Sequence, residues 1–241
     1  MPIEVIILKN FFGIIFVASS LPPNPVSRIK KSALYREKRT NAAAVYYKSS
    51  IDVSKFVSGA DLLHWGQCGL NLCDQSPGLA VSFFKSSTGS RLQNLNSKKM
   101  SDWAELGSRL YKGTWKSSAL ASKFFESSGS ILEDLTDIEL REFGDFVELI
   151  SRKSIDVATE CLILSKDVLP SIDSNRSDFI KMVSSVAENN WREVKSCFEY
   201  APRFIQSFEQ EELFEIILAA NYIDLQPLLD LACAQVATKI K

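Results

Sequence analysis

The sequence is poor in the residues that carry most enzyme chemistry. Of 241 residues one is histidine, His64, which excludes a zinc site of the His-x-x-x-His kind and leaves one imidazole for general-base work. No Gly-x-x-x-x-Gly-Lys or Gly-x-Gly-x-x-Gly segment is present to cradle a phosphate. Neither sign of charge dominates: 28 Lys and Arg face 29 Asp and Glu, so the molecule as a whole does not attract polyanions. The five cysteines, Cys68, Cys73, Cys161, Cys197 and Cys233, are odd in number and contain no C-x-x-C spacing. Three lie within apolar helical patterns, and buried thiols in a reduced compartment are expected rather than a disulfide framework. What is plentiful is apolar residue, 46%, enough for a core without covalent staples and for one or two domains.

Residues 1–20 include an apolar stretch, Ile3 to Val17, interrupted by Lys9 and Asn10. It falls short of the ~20 residues of a bilayer span. A signal or anchor is not favoured, and a cytoplasmic or nuclear location is expected. Residues 21–58 read as a basic linker: three prolines open it, and Arg28, Lys30, Lys31, Arg36, Lys38 and Arg39 stand against Glu37. Such a run is expected to be solvated, with neither a nucleic acid nor a membrane as partner.

From residue 59 the chain repeats itself. HWGQCGLNL and DWAELGSRL place Trp65 against Trp103, Gly69 against Gly107 and Leu72 against Leu110. Downstream, Phe83-Phe84 matches Phe124-Phe125, followed in both copies by a Ser-rich break. Two weaker copies follow, in which Leu162 and then Phe198 take the place of Phe125, and Val168-Leu169 and Phe204-Ile205 stand for Ile131-Leu132. The steps from Phe84 to Phe125, Leu162 and Phe198 are 41, 37 and 36 residues, the period of helical-hairpin arrays. Each unit holds two apolar stripes at helical spacing: in the second copy these are Trp103, Leu106, Leu110 and Tyr111, then Leu120, Ala121, Phe124 and Phe125 around a break at Gly113. Neither stripe can be buried by its own helix, so neighbouring hairpins must share one core. The fold expected is all-α: an α-solenoid of about four units over residues 59–205, with both tryptophans as core residues.

The acidic residues Glu133, Asp134, Asp137, Glu139, Glu142, Asp145 and Glu148 interleave with Leu135, Ile138, Leu140, Phe143, Phe146 and Val147. This is the pattern of one solvated helix face, its negative charge favourable near the N-terminus. In its WAELG…SALASKFF spacing the repeat block is faintly similar to helical regions that precede von Willebrand A-type domains in bacterial proteins.

The last segment, residues 206–241, reads as a helical pair. Leu213, Phe214, Ile217 and Leu218 form one stripe, ending near Asn221. Asp224 is placed to cap a second helix with Pro227 in its first turn, and Leu225, Leu228, Leu229, Ala232, Cys233, Val236 and Ile240 form its stripe. These faces are wider than a repeat neighbour covers, which points to a partner helix. The segment resembles the dimerisation, or F-box-binding, region of the Skp family of adaptors in Skp–cullin–F-box ubiquitin ligases. The residues that carry the resemblance are Leu213-Phe214-Glu215, Leu218-Ala219-Ala220-Asn221-Tyr222, Leu228-Leu229-Asp230, Cys233, Val236, Ala237 and Ile240. By that resemblance Phe214, Ile217, Tyr222, Leu229, Cys233, Val236 and Ile240 would line the groove for an F-box helical motif, with no catalytic group, metal or cofactor. The mixed strand-and-helix fold with which the family meets its cullin has no counterpart in the pattern upstream, so a cullin contact is not carried over.

Two other readings stand beside the Skp-like adaptor. One is a general α-solenoid interaction scaffold whose C-terminal helices only cap the last repeat. The other is a thiol enzyme using His64 and Cys68, four residues apart on one helix face but without an orienting acid or an oxyanion loop; it is set aside.

Overall fold

A computed structural model describes residues 25–57, 59–87, 95–113, 118–172, 176–207 and 210–222, together with 229, 232, 233 and 236. Among the described residues all regular structure is helical. The helices are α1 (Pro25–Val53), α2 (Gly59–Gln75), α3 (Pro77–Ser86), α4 (Ser97–Gly113), α5 (Ser118–Ile131), α6 (Asp137–Ser151), α7 (Ile155–Ser171), α8 (Arg176–Asn190), α9 (Val194–Ser207) and α10 (Gln210–Tyr222). The chain divides into two compact units, Met1–Ser108 and Arg109–Lys241, the division falling inside α4.

Helix pairs occur where the repeat placed them, and the local chemistry explains their ends. Pro77 sits in the first turn of α3 behind the N-cap Ser76, where a missing N–H costs nothing. Thr136 and Glu139 form a capping box at the start of α6: the Glu139 N–H donates to Thr136 Oγ1 at 3.2 Å, and the Thr136 N–H donates to Glu139 Oε2 at 2.7 Å. Ser154 accepts from the Val157 N–H at the start of α7. The break expected at Gly113 is the end of α4.

In the first unit, α1 packs on α2 and α3. Its core is aromatic: Trp65 lies between Tyr46 (ring centroids 5.4 Å apart) and Phe83 (6.5 Å), Phe84 meets Trp65 edge-on at 4.9 Å, and Trp103 completes the group against Phe83 at 5.0 Å. Both tryptophans are fully buried, as their place in the repeat implies. Gly69 explains how the Phe84 ring fits: its edge lies where a Cβ on residue 69 would stand, 2.0 Å from Phe84 Cζ. The equivalent Gly107 and the glycine of the third copy, Gly144, are buried too.

In the second unit the helices form two rows. Helices α5, α7 and α9 pack side by side, α6 and α8 do likewise, and the rows join through α6 on α7 and α8 on α9. Phe125, Leu162 and Phe198 are all fully buried, as is Phe84 in the first unit. Phe146 bridges the copies, 6.4 Å from Phe143 and 5.7 Å from Phe198. The side chains of Phe204 and Ile205 lie outside the described residues.

Polar pairs one repeat apart fix the register of successive helices. In the first unit Ser97 Oγ donates to Asp61 Oδ1 at 2.5 Å and Ser108 Oγ to Gln75 Oε1 at 2.7 Å. In the second, Arg109 reaches both Asp145 (2.6 Å) and Glu148, Ser177 donates to Glu142 (2.6 Å), and Lys195 pairs with Glu160 (3.2 Å). The acidic run is therefore less solvated than its spacing suggests: Glu139 is buried in its capping box, and Glu142 and Glu148 are ligated by the neighbouring helices.

Burial alone would raise the Glu148 carboxyl, but hydrogen bonds from Arg109 and Arg152 outweigh it and hold the group below the ordinary glutamate range. Folding thus favours its charged form. The stabilisation is present above the unfolded pKa, about 4.3, and is lost as pH falls through the lower folded value. Glu148→Gln is expected to lower stability near pH 7 by up to about 1 kcal/mol. The gap from the parent should close towards pH 3 in urea unfolding; a gap that persists there would contradict this.

One expectation is corrected here. Most of the segment read as a basic linker, residues 21–58, is helix α1, 29 residues long. Its core-facing stripe is Ala42, Tyr46, Ser49 and Val53. Half of that stripe is alanine and serine, so it carries little hydropathy beside seven cations.

Candidate partner-binding site

The C-terminal pair begins with α10, whose first turn holds Glu211 and Glu212, a placement its dipole favours. One face of the helix is pinned: Leu213, Ala232 and Val236 form a small core, with Ile216 and Ile217 packed against it. The adjoining face is open. Phe214, Leu218 and Tyr222, spaced four residues apart and therefore nearly in line along the helix, are 45%, 69% and 90% exposed. Cys233 is exposed and Leu229 half-buried.

The seven residues named from the sequence thus separate. Phe214, Tyr222 and Cys233 face outward, and Leu229 is half covered. Ile217 and Val236, the latter 7% exposed, hold the pair together from inside. Ile240 lies outside the described residues, as do Asp224 and Pro227. Leu218 was counted in the stripe but not in the site; its signal was the i, i+4 spacing to both Phe214 and Tyr222.

The thiols sort in the same way. Burial pushes Cys161 up to about 12, and Cys73 and Cys197 up to about 11. Burial also raises Cys68, against a hydrogen bond from Ser101 that lowers it. That shift is opposite to the one that activates a thiol nucleophile. His64 meets that same serine rather than the thiol, its Nε2 lying 2.6 Å from Ser101 Oγ. Native protein treated with a thiol-disulfide reagent at pH 8 is expected to react quickly at Cys233 alone, and rapid labelling of Cys68 or Cys161 would contradict this burial.

No family model and no solved structure matches the chain. Curated relatives match over short stretches. The S-phase kinase-associated protein 1 homolog of Tetrahymena thermophila is 64% identical over 42 residues, 17% of this chain and 25% of the relative. The E3 ubiquitin ligase complex SCF subunit sconC of Emericella nidulans is 58% identical over 43 residues, 18% of this chain and 26% of the relative. The protein of the same name from Talaromyces marneffei is 48% identical over 54 residues, 22% and 33%. The chain spans about a quarter to a third of the length of these relatives. They bear out the resemblance to the Skp family; nothing in them supports the similarity of the repeat block to bacterial von Willebrand A-domain proteins.

Proposed function

We propose that the chain is a non-enzymatic, Skp-like adaptor whose C-terminal helical pair receives an F-box-type helical motif in ubiquitin-dependent protein degradation. The observation that carries this is the Phe214–Leu218–Tyr222 stripe: a row of large apolar side chains left open on a helix whose adjoining face is already held by Leu213, Ala232 and Val236. A helix with an i, i+4, i+8 apolar row and a firm back is a natural seat for a second amphipathic helix. The short, highly identical matches to an S-phase kinase-associated protein 1 homolog and to SCF subunits support the same reading.

The site division follows from it. Phe214, Leu218, Tyr222 and Cys233 touch the partner, Leu229 borders it, and Ile217 and Val236 position the two helical elements. Residues 59–205 act as a helical-repeat scaffold that carries the pair. The test is a titration of labelled F-box helical peptides into the full chain, beside a cullin N-terminal domain. Saturable peptide binding without cullin binding is expected; absence of binding by every peptide overturns the proposal.

The second reading, a general repeat scaffold with a capping tail, draws on Ile163 and Tyr200. Both are exposed, and they stand on the neighbouring helices α7 and α9. It predicts that protein partners are lost on changing these two residues and kept on changing Tyr222.

A further inference from the structure

The open face of α10 has a sign of charge as well as a shape. Each residue of the Phe214–Leu218–Tyr222 stripe has a neighbour three residues earlier on the adjacent ridge of the helix: Glu211, Glu215 and Ala219. All three are exposed, and none of the 13 residues of α10 is a cation. The bias continues along the sequence. From Phe204 to Thr238 the chain holds Glu209, Glu211, Glu212, Glu215, Asp224 and Asp230, and no Lys, Arg or His. On its other side the stripe borders Ile217, which packs against Leu213, Ala232 and Val236. The seat is thus backed by the small core along one edge and carries two carboxylates along the other. Glu211 and Glu215 stand one turn apart, where like charges repel, and a cation laid between them relieves that repulsion.

We infer that this face selects its partner by charge: the occupant is an amphipathic helix whose apolar row is flanked on one side by Lys or Arg. The inference rests on the docking of a helix proposed above and specifies the chemistry of that helix. Lys and Arg suit the position because their apolar stems can lie across Phe214 and Leu218 while their charged ends reach Glu211 and Glu215.

The two carboxylates occupy the N-terminal half of α10, whereas Ala219, beside Tyr222, adds neither charge nor bulk to the ridge. The cations therefore belong to the end of the partner that meets Glu211 and Glu215, and the other end can approach closely over Ala219. A helix with the same apolar row and an acidic flank is disfavoured by like-charge contact, which is how a charged rim rejects a wrong partner. Rim charges act mainly on the rate of encounter and on the choice of partner, while the apolar row sets how long the complex lasts.

The experiment is stopped-flow association of the full chain with three designed helical peptides that share a Leu row at i, i+4 and i+8 and carry Lys, Gln or Glu on one flank. At about 20 mM salt the Lys peptide is expected to associate about tenfold faster than the Gln peptide, and the Glu peptide more slowly than either. Near about 0.5 M salt the three rates should converge to within about twofold. Glu211→Gln/Glu215→Gln should bring the Lys and Gln peptides level, and Glu211→Lys/Glu215→Lys should make the Glu peptide the fastest, with circular dichroism showing that helix content is kept. Equal rates for the three peptides on the parent at low salt, or a Lys preference that survives both variants, would overturn the inference and leave the helix seat standing. Binding of none of the three, or equal binding of a Lys peptide whose Leu row is replaced by Ser, would overturn the seat itself and this inference with it.

Discussion

Gly69→Ala is expected to destabilise the first unit by about 2 kcal/mol or more, although alanine is ordinarily the better helix former by about 1 kcal/mol. The new methyl would stand 2.0 Å from Phe84 Cζ and 2.2 Å from Cε1. The ring cannot swing away, since Phe84 is fully buried and held by Trp65 at 4.9 Å, Tyr46 at 5.1 Å and Phe83 at 5.6 Å. Expelling it would approach the cost of deleting a buried phenylalanine, about 3–5 kcal/mol. Urea unfolding reads the loss. Gly113→Ala is the control: nothing lies within 4 Å of its Cβ position, so stability should hold or rise slightly. Phe84→Leu should recover part of the Gly69→Ala loss, because the two residues share one space. Equal stability of Gly69→Ala and the parent would contradict the close approach.

Leu218→Asp/Tyr222→Asp is expected to abolish capture of an F-box helical peptide, weakening it a hundredfold or more, while the unfolding free energy stays within about 0.5 kcal/mol of the parent's. Both side chains are largely in solvent, and exposed substitutions of this kind rarely move stability by more than about 0.5 kcal/mol. In a complex the same positions would be desolvated, and an anchor truncated there costs about 2 kcal/mol or more; an unpaired carboxylate adds to that. Val236→Asp gives the contrast. It places a charge in the core formed with Leu213 and Ala232, so it should melt the pair and lose binding through unfolding, visible as lost helicity. Unchanged peptide affinity in the Leu218→Asp/Tyr222→Asp variant would refute the proposed groove.

Much of the architecture was legible because it is repeated. Trp65 and Trp103, and the series Phe84, Phe125, Leu162 and Phe198, are strong hydrophobic signals at a period near forty, and each is buried where its copy number implies. Helix α1 was illegible for the opposite reason. It is anchored through alanine and serine as much as through Tyr46 and Val53, and its cations suggested a solvated tail. The acidic run shows a further limit: periodicity placed Glu142 and Glu148 on a solvent face, and the i, i+4 spacing links only Arg152 to Glu148; Lys181 and Ser177 at Glu142, and Arg109 at Glu148, come from positions that no local pattern links to them.

The candidate site divides along the same line. Residue identity alone determined that the chain is helical, that it repeats, and that its last segment resembles the Skp family, because these rest on local spacing and on an unbroken word of sequence. Which side chains of that segment hold it together and which stand open was decided only by tertiary packing. Ile217 and Val236 belong to the same apolar stripes as Phe214 and Tyr222. A stripe wider than one neighbour can cover does not reveal which of its edges that neighbour takes; only the contact of Leu213 with Ala232 and Val236 settles it.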